Sequence, residues 1–389
     1  MKITLLECRR MIGRTVLLGF LALVLVVSVY DSHRNLDRYN LDEQGIIWKD
    51  NLSEARKASE GLCLDRECME GLWEDANRYG YVNGENIMEL VTANYGKTLE
   101  ELSADEMGQF FQTRTDTILE NLVSDVDKGY TDEEIAHFMD KAKTLSKLSI
   151  GYAEGWKALE ETMGNFIFLL VIVISVLVLP LFGRDPSVKM EEMVRSSRYG
   201  KRQLDKARIT AAYLTATVLY VCSMTIYFVI VMLPFGFDGM EQPIQSNVRT
   251  FFSLYNITYI QQFLWNLFRG YVVLVFMVSL ALLVTILLRN ILASGALLAI
   301  FLVMLVICNQ IYLYPVNHWF TNFMPVRMTD FRHFYVGNEL YRICGFSISC
   351  MSWSIVVSLT LSVIFLVVSL IALHNDRKKG LLLDVKRQK

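Results

Sequence analysis

The chain has 389 residues, of which 53% are hydrophobic and 20% charged, with 38 basic and 40 acidic side chains and a formal net charge of −2. The charges are unevenly spread: 15–30, 162–183, 209–237, 270–288, 290–326 and 343–375 hold none. Soluble cores are assembled from stripes and short apolar runs, so a soluble enzyme, a disordered chain and a fibrous protein are excluded, leaving an integral membrane protein.

A helix needs roughly 20 apolar residues to cross ~30 Å of hydrocarbon. Six runs meet that need: 16–30, 166–182, 209–235, 271–288, 291–313 and 353–373. The first is short, and Arg9, Arg10 and Arg14 precede it in the manner of a secretory signal. Its exit, Val27-Ser28-Val29-Tyr30, has no small-x-small cleavage site, so it reads as an uncleaved anchor.

Residues 31–163 follow, with 29 acidic and 14 basic residues and no proline. The length suits a folded domain, and the pattern is helical. Thr131-Asp132-Glu133-Glu134 is a capping-box start, with Ile135, Phe138, Met139, Ala142 and Leu145 on one face. That helix is expected to run on towards the second span, with Gly151, Gly155 and Gly164 as places where it could break. The acidity is read first as a solvated surface and second as attraction for cationic ligands. Cys63 and Cys68 form a candidate disulfide, which needs a turn at Leu64-Asp65-Arg66 because five helical residues rotate by about 500°. Cys344 and Cys350 are a weaker pair, and Cys8, Cys222 and Cys308 read as apolar fillers or free thiols.

Residues 183–208 form a basic loop with eight basic and four acidic residues. Further on, 250–268 is uncharged but holds Asn256, Gln261, Gln262 and Asn266. Phe252, Tyr255, Tyr259 and Phe263 share one helical face, and Gln262, Asn266 and Arg269 another, which suits an interfacial or re-entrant helix. Charge bias sets the topology. Six spans with the N-terminus inside give the inner segments 19 basic against seven acidic residues, whereas a seventh would put the Arg377-Lys378-Lys379 tail outside.

Catalytic constellations are not found in the sequence. His33, His137, His318, His333 and His374 are scattered, without HExxH or zinc spacing, and there is no GxSxG elbow. Asp125-Val126-Asp127 is a chance-level DxD match. Gly200-Lys201 fails as a Walker A loop, because Arg195 and Arg202 stand where Gly and Ser or Thr are required. No catalytic residue, metal, cofactor or nucleic-acid partner is expected. The apolar runs hold almost no ionisable group, which argues against proton- or ion-coupled carriage.

The basic loop carries the one motif. Phe182, Met193-Val194, Ser196-Ser197, Tyr199-Gly200, Arg202, Leu204 and Lys206 fill the pattern between the second and third spans of ABC-2-type transporter permeases, which the chain resembles. The departures are Arg184-Asp185, where that family usually has Glu, and the interposed Lys201. Asn322-Phe323-Met324-Pro325 after the fifth span is also similar. The resemblance implies an all-α membrane protein of six transmembrane helices, with a helical extracytoplasmic domain at 31–163 between the first and second. A five-span permease core follows at 164–376, with a coupling loop at 184–208 and a cytoplasmic basic tail at 377–389. It further implies a separate ABC ATP-binding subunit, met by Arg195, Ser196, Ser197, Arg198, Tyr199, Gly200, Lys201 and Arg202, and a second permease subunit, identical or not, in the lipid bilayer of a prokaryotic cytoplasmic membrane. Export driven by that partner is the expected function; the alternative is mechanotransmission or sensing, in which ATPase motion moves the external domain without translocation.

Overall fold

The computed structural model describes residues 2–37, 52–53, 56–57, 62–65, 68–71, 85–98, 101–183, 200–311, 313–343 and 345–387. The chain is mostly helical, and six helices are long and apolar enough to cross a membrane: Arg14–Leu36, Glu154–Gly183, Arg202–Met232, Tyr259–Leu288, Ile291–Gln310 and Cys350–Asp376. They correspond one for one to the six uncharged runs, as expected of a multi-pass membrane protein.

In chain order, a short helix α1 (Lys2–Met11) leads into α2 (Arg14–Leu36). The segment before the next span contains strand β1 (Leu62–Leu64) and helices α3 (Glu85–Tyr95), α4 (Ala104–Gly108), α5 (Phe110–Ser124) and α6 (Asp132–Lys143), then strand β2 (Leu148–Ile150). It has its own core: Leu64, Ile87, Leu90, Met107, Phe110 and Leu148 cluster together, and Ile118, Leu122, Phe138 and Ala142 form a second group. Phe251 joins the first and Leu254 the second, so residues from the later 233–258 connection are built into this core. The predicted capping box opens α6. The Thr131 N–H donates to Glu134 Oε2 at 2.9 Å and Glu134 N–H to Thr131 Oγ1 at 3.3 Å.

The helix does not run on from Thr131 into the second span. It ends at Lys143, and β2 pairs antiparallel with β1, Leu148 opposite Leu64 and Ile150 opposite Leu62, before α7 (Glu154–Val178) begins. The ladder with β1 captures the backbone groups that a continuing helix would have used. Of the three glycines, only Gly151 lies in the break. Gly164 lies inside α7, where a Cβ would come within 2.3 Å of the Thr329 carbonyl, so that glycine serves close packing, not interruption.

A short turn, α8 (Pro180–Gly183), closes the second span. The third, α9 (Gly200–Met232), ends where Gly236 takes φ +89° and its N–H reaches the Met232 carbonyl. The fourth, α10 (Tyr259–Leu288), overturns the expectation for 250–268. Residues 259–268 are the first third of one continuous 30-residue helix, and they are followed by no re-entrant turn. At about 45 Å it outreaches ~30 Å of hydrocarbon, so its polar first third fits beyond the apolar zone. Gln262, Asn266 and Arg269 are buried against neighbouring helices and loops, not laid on an interface. Arg289 then adopts a left-handed conformation and Asn290 caps α11 (Ile291–Gln310) through its side chain.

A cap of short elements follows: α12 (Tyr314–Trp319), α13 (Pro325–Met328), α14 (Phe331–Val336) and the hairpin β3 (Leu340–Ile343) with β4 (Phe346–Ser349). Pro315 falls in the first turn of α12, where its missing N–H costs nothing. The last helix, α15 (Cys350–Arg387), packs chiefly on α10, with buried Ser354, Ser358, Ser362 and Ser369 along it; side chains this small permit close helix approach in lipid. Only 17% of α11 and of α15 is buried over their apolar windows, and Leu292, Ile300 and Val363 are exposed. Apolar faces of that extent belong against hydrocarbon.

Candidate functional site

The six helices alternate in direction, so α1, the starts of α2, α9 and α11, and the ends of α7, α10 and the last span gather at one end. This basic end frames the 184–199 connection. On α1, Glu7 is nearly buried and holds Arg10 of its own helix and Arg208 of α9, each at 3.5 Å. The Arg208 guanidinium also lies over the Phe182 ring, 5.6 Å from its centroid. Gly183 abuts α11 so closely that a Cβ would sit 2.8 Å from Ile291 Cγ1. Arg289, at the α10–α11 turn, pairs with Asp376 near the end of the last span. Both ends of the loop are therefore anchored to packed helices.

Arg195, Ser196, Ser197, Arg198 and Tyr199 lie outside the described residues. Gly200 and Lys201 form the first turn of α9, and the Arg202 side chain is exposed beside them. The candidate disulfide also lies outside what is described: Cys63 is in β1, its side chain is not among the described ones, and Cys68 is half-buried nearby.

The far end holds ionisable groups that counting charge-free runs missed. Asp31 and Arg269 are buried within the bundle and Glu160 is half-buried with its Oε1 enclosed, each within about 15 Å of the far end of its helix. The Tyr227 hydroxyl lies 3.1 Å from Asp31 Oδ2 and 2.6 Å from Thr162 Oγ1. Asn247 donates to Glu160 Oε2 at 2.7 Å. Arg269 makes no hydrogen bond among the described residues and stacks over Phe334, 3.5 Å from the ring centroid. Asp31 was missed because it is the first residue after an uncharged run, and the helix simply continues through it.

The far end also carries a joint between the inserted segment and the β3–β4 hairpin. Arg342 clasps Glu134 with two nitrogens, Nε to Oε1 at 3.1 Å and Nη2 to Oε2 at 2.5 Å, and also donates to the Gly129 carbonyl at 2.7 Å. Ser347 donates to Glu134 Oε1 at 2.6 Å. Lys128 and Tyr130 donate to the Gly337 and Asn338 carbonyls at 2.8 and 2.7 Å. The Arg342 hydrogen bonds hold the Glu134 carboxyl at about 2. Beneath the hairpin, burial alone would raise the Glu339 carboxyl. The imidazole of His333, 3.7 Å away, and hydrogen bonds from His318 and Asn322 outweigh it and hold that group also at about 2, with His318 Nδ1 at 2.5 Å and Asn322 Nδ2 at 2.6 Å. On the other flank Arg114, lowered to about 10 by burial, donates to the Phe251 and Ser253 carbonyls at 2.9 and 2.8 Å. Apart from the Glu339 contacts, which are closer in sequence, these contacts join residues more than 100 positions apart, and no local pattern announces them.

Comparison with protein-family models, with curated proteins and with solved structures finds no match.

Proposed function

We propose that the chain is the permease subunit of an ABC-2-type exporter, energised by a separate ATP-binding subunit that docks on the basic end. The observation that carries this reading is the gathering of α1, the flanks of the 184–199 loop and the α10–α11 turn at one end, with most of the bases of the span-flanking segments. By the positive-inside rule that end is cytoplasmic, and residues 31–163 are an extracytoplasmic domain. Both termini are then cytoplasmic, in a prokaryotic cytoplasmic membrane, and the exposed faces of α11 and α15 are left for lipid or for a second permease subunit. Anchoring at Gly183 and Arg208 suits a loop that must transmit force: its ends are tied to α11, α1 and α9, so displacement of the loop reaches three helices. Arg195, Arg198, Lys201 and Arg202 would pair with acidic groups of the partner, with Tyr199 as the packing anchor. Replacing Arg198 and Tyr199 together by Ala is expected to reduce co-purification of the ATP-binding subunit while leaving the thermal midpoint unchanged. Undiminished co-purification would contradict the docking site.

A second reading, mechanotransmission, is favoured by the far-end joint. The Glu134–Arg342 clasp ties the inserted domain to a hairpin that runs directly into the last span, whose other end pairs Asp376 with Arg289. Motion at the basic end then has a rigid path to the external domain. Reconstituted vesicles separate the two: ATP-dependent flux supports export, whereas ligand binding outside without flux supports transmission.

A further inference from the structure

Beside the joint, between α6 and the β3–β4 hairpin, lies a cavity of about 440 Å³. Phe138, Leu254, Tyr255 and Leu340 make its apolar part. Ser347 and Ser349, alternate residues of β4 and so on one face of the strand, present hydroxyls from the hairpin wall. Two carboxylates on its lining are already occupied, Glu134 by Arg342 and Glu339 by His318 and Asn322. What remains is a column on α6: Glu133, His137 and Lys141, spaced i, i+4, i+8, all exposed and all lining the cavity. Among the described residues, neither Glu133 nor Lys141 is in an ion pair, although an opposite charge lies on the same face. Eight residues of helix hold the two about 12 Å apart, too far to neutralise one another directly.

That arrangement has a definite complement. One positive group belongs at Glu133, one negative group at Lys141, and an apolar body between them over the aromatic and leucine side chains. Extended chain spans ~3.3–3.6 Å per residue, so a free amine and a free carboxylate reach both posts when about three residues separate them. A single amino acid is too short, and a ligand with one charge leaves one post empty. We propose that this cavity is a binding site for a short peptide of apolar residues with both termini free, its amine at Glu133 and its carboxylate at Lys141, with the Ser347 hydroxyl oxygen, whose proton is held by Glu134, accepting from a backbone N–H of the peptide. The site is independent of whether an ATP-binding partner works the basic end.

The test is calorimetry on the full chain in nanodiscs with trileucine, N-acetyl-trileucine and trileucine amide as probes. Trileucine is expected to bind with a Kd of roughly 0.1–1 mM. Blocking its amine, or Glu133→Gln, should each weaken binding about tenfold, and the two together no further. Blocking its carboxylate and Lys141→Gln should show the same pairing. The blocked peptides probe the unaltered chain, so the result does not depend on how the variants fold. Absence of trileucine binding at millimolar concentration overturns the proposal, as does equal binding of all three probes.

Discussion

Glu134 performs two tasks with one carboxylate. It completes the capping box of α6 through the Thr131 N–H, and it receives Arg342 and Ser347 from the hairpin. Arg342 is about half exposed, so a double-mutant cycle of Glu134→Ala with Arg342→Ala should show a coupling of about 1 kcal/mol, read as thermal unfolding of the inserted segment. Acid should release the joint with a defined sign. Glu134 and Glu339 are both held at about 2, below an ordinary carboxyl, so the stability they contribute is complete above pH ~4.5 and is lost as pH falls towards 2. Unfolding midpoints should be flat from pH 7 to 5 as far as these two groups decide it, and should then fall; a midpoint that rises on acidification would contradict the assignment. Arg269 is the opposite case, a fully buried guanidinium that makes no hydrogen bond among the described residues, lies over the Phe331 and Phe334 rings and meets the Asp330 carboxylate only through space. Desolvation of an unpaired charge exceeds what cation–π contact returns, so Arg269→Leu should raise the thermal midpoint of the purified protein. Little of this was legible in the sequence. The capping box was, because it is local. Arg342 and Glu134 are not recognisable as partners at a separation of 208 residues, and Arg269 looked like an interfacial charge because a polar helical face reads the same whether it meets water or a neighbouring chain segment.

Among the elements, the six spans were legible because ~20 consecutive residues without a charge are suited to hydrocarbon and to little else. Their ends were less so. Residues 14–36, 154–183 and 259–288 run beyond their uncharged cores, and each extension carries the buried polar groups of the far end. The expected continuous helix from Thr131 failed for a non-local reason, since β1 lies more than 80 residues before β2 and competes for its backbone. Gly164 illustrates the same limit: a helix-weakening residue in sequence is a contact surface in three dimensions. Gly164→Ala should lower stability by about 1–3 kcal/mol, because the Thr329 carbonyl occupies the space the methyl would take. Denaturation of the variant in detergent checks this, and an unchanged midpoint would mean that α7 and the 329 loop are not in contact.

At the scale of the whole molecule, the division of labour between the two ends is the central feature. The basic end is built from helix termini braced by Glu7–Arg208 and Arg289–Asp376, and offers the loop whose motif resembles a coupling segment. The far end is built from the segment between the first two spans, the hairpin and a polar lining, and offers a cavity. A chain organised in this way suits the proposed lipid-embedded device, driven from one side with the drive supplied by another protein. The most direct measurement is photocrosslinking in native membranes with benzoylphenylalanine substituted at Tyr199. The account predicts an adduct with an ATP-binding protein, formed only from the cytoplasmic side. An adduct formed with reagents or proteins confined to the outside of sealed cells, or no adduct while the protein remains folded and active, would contradict it.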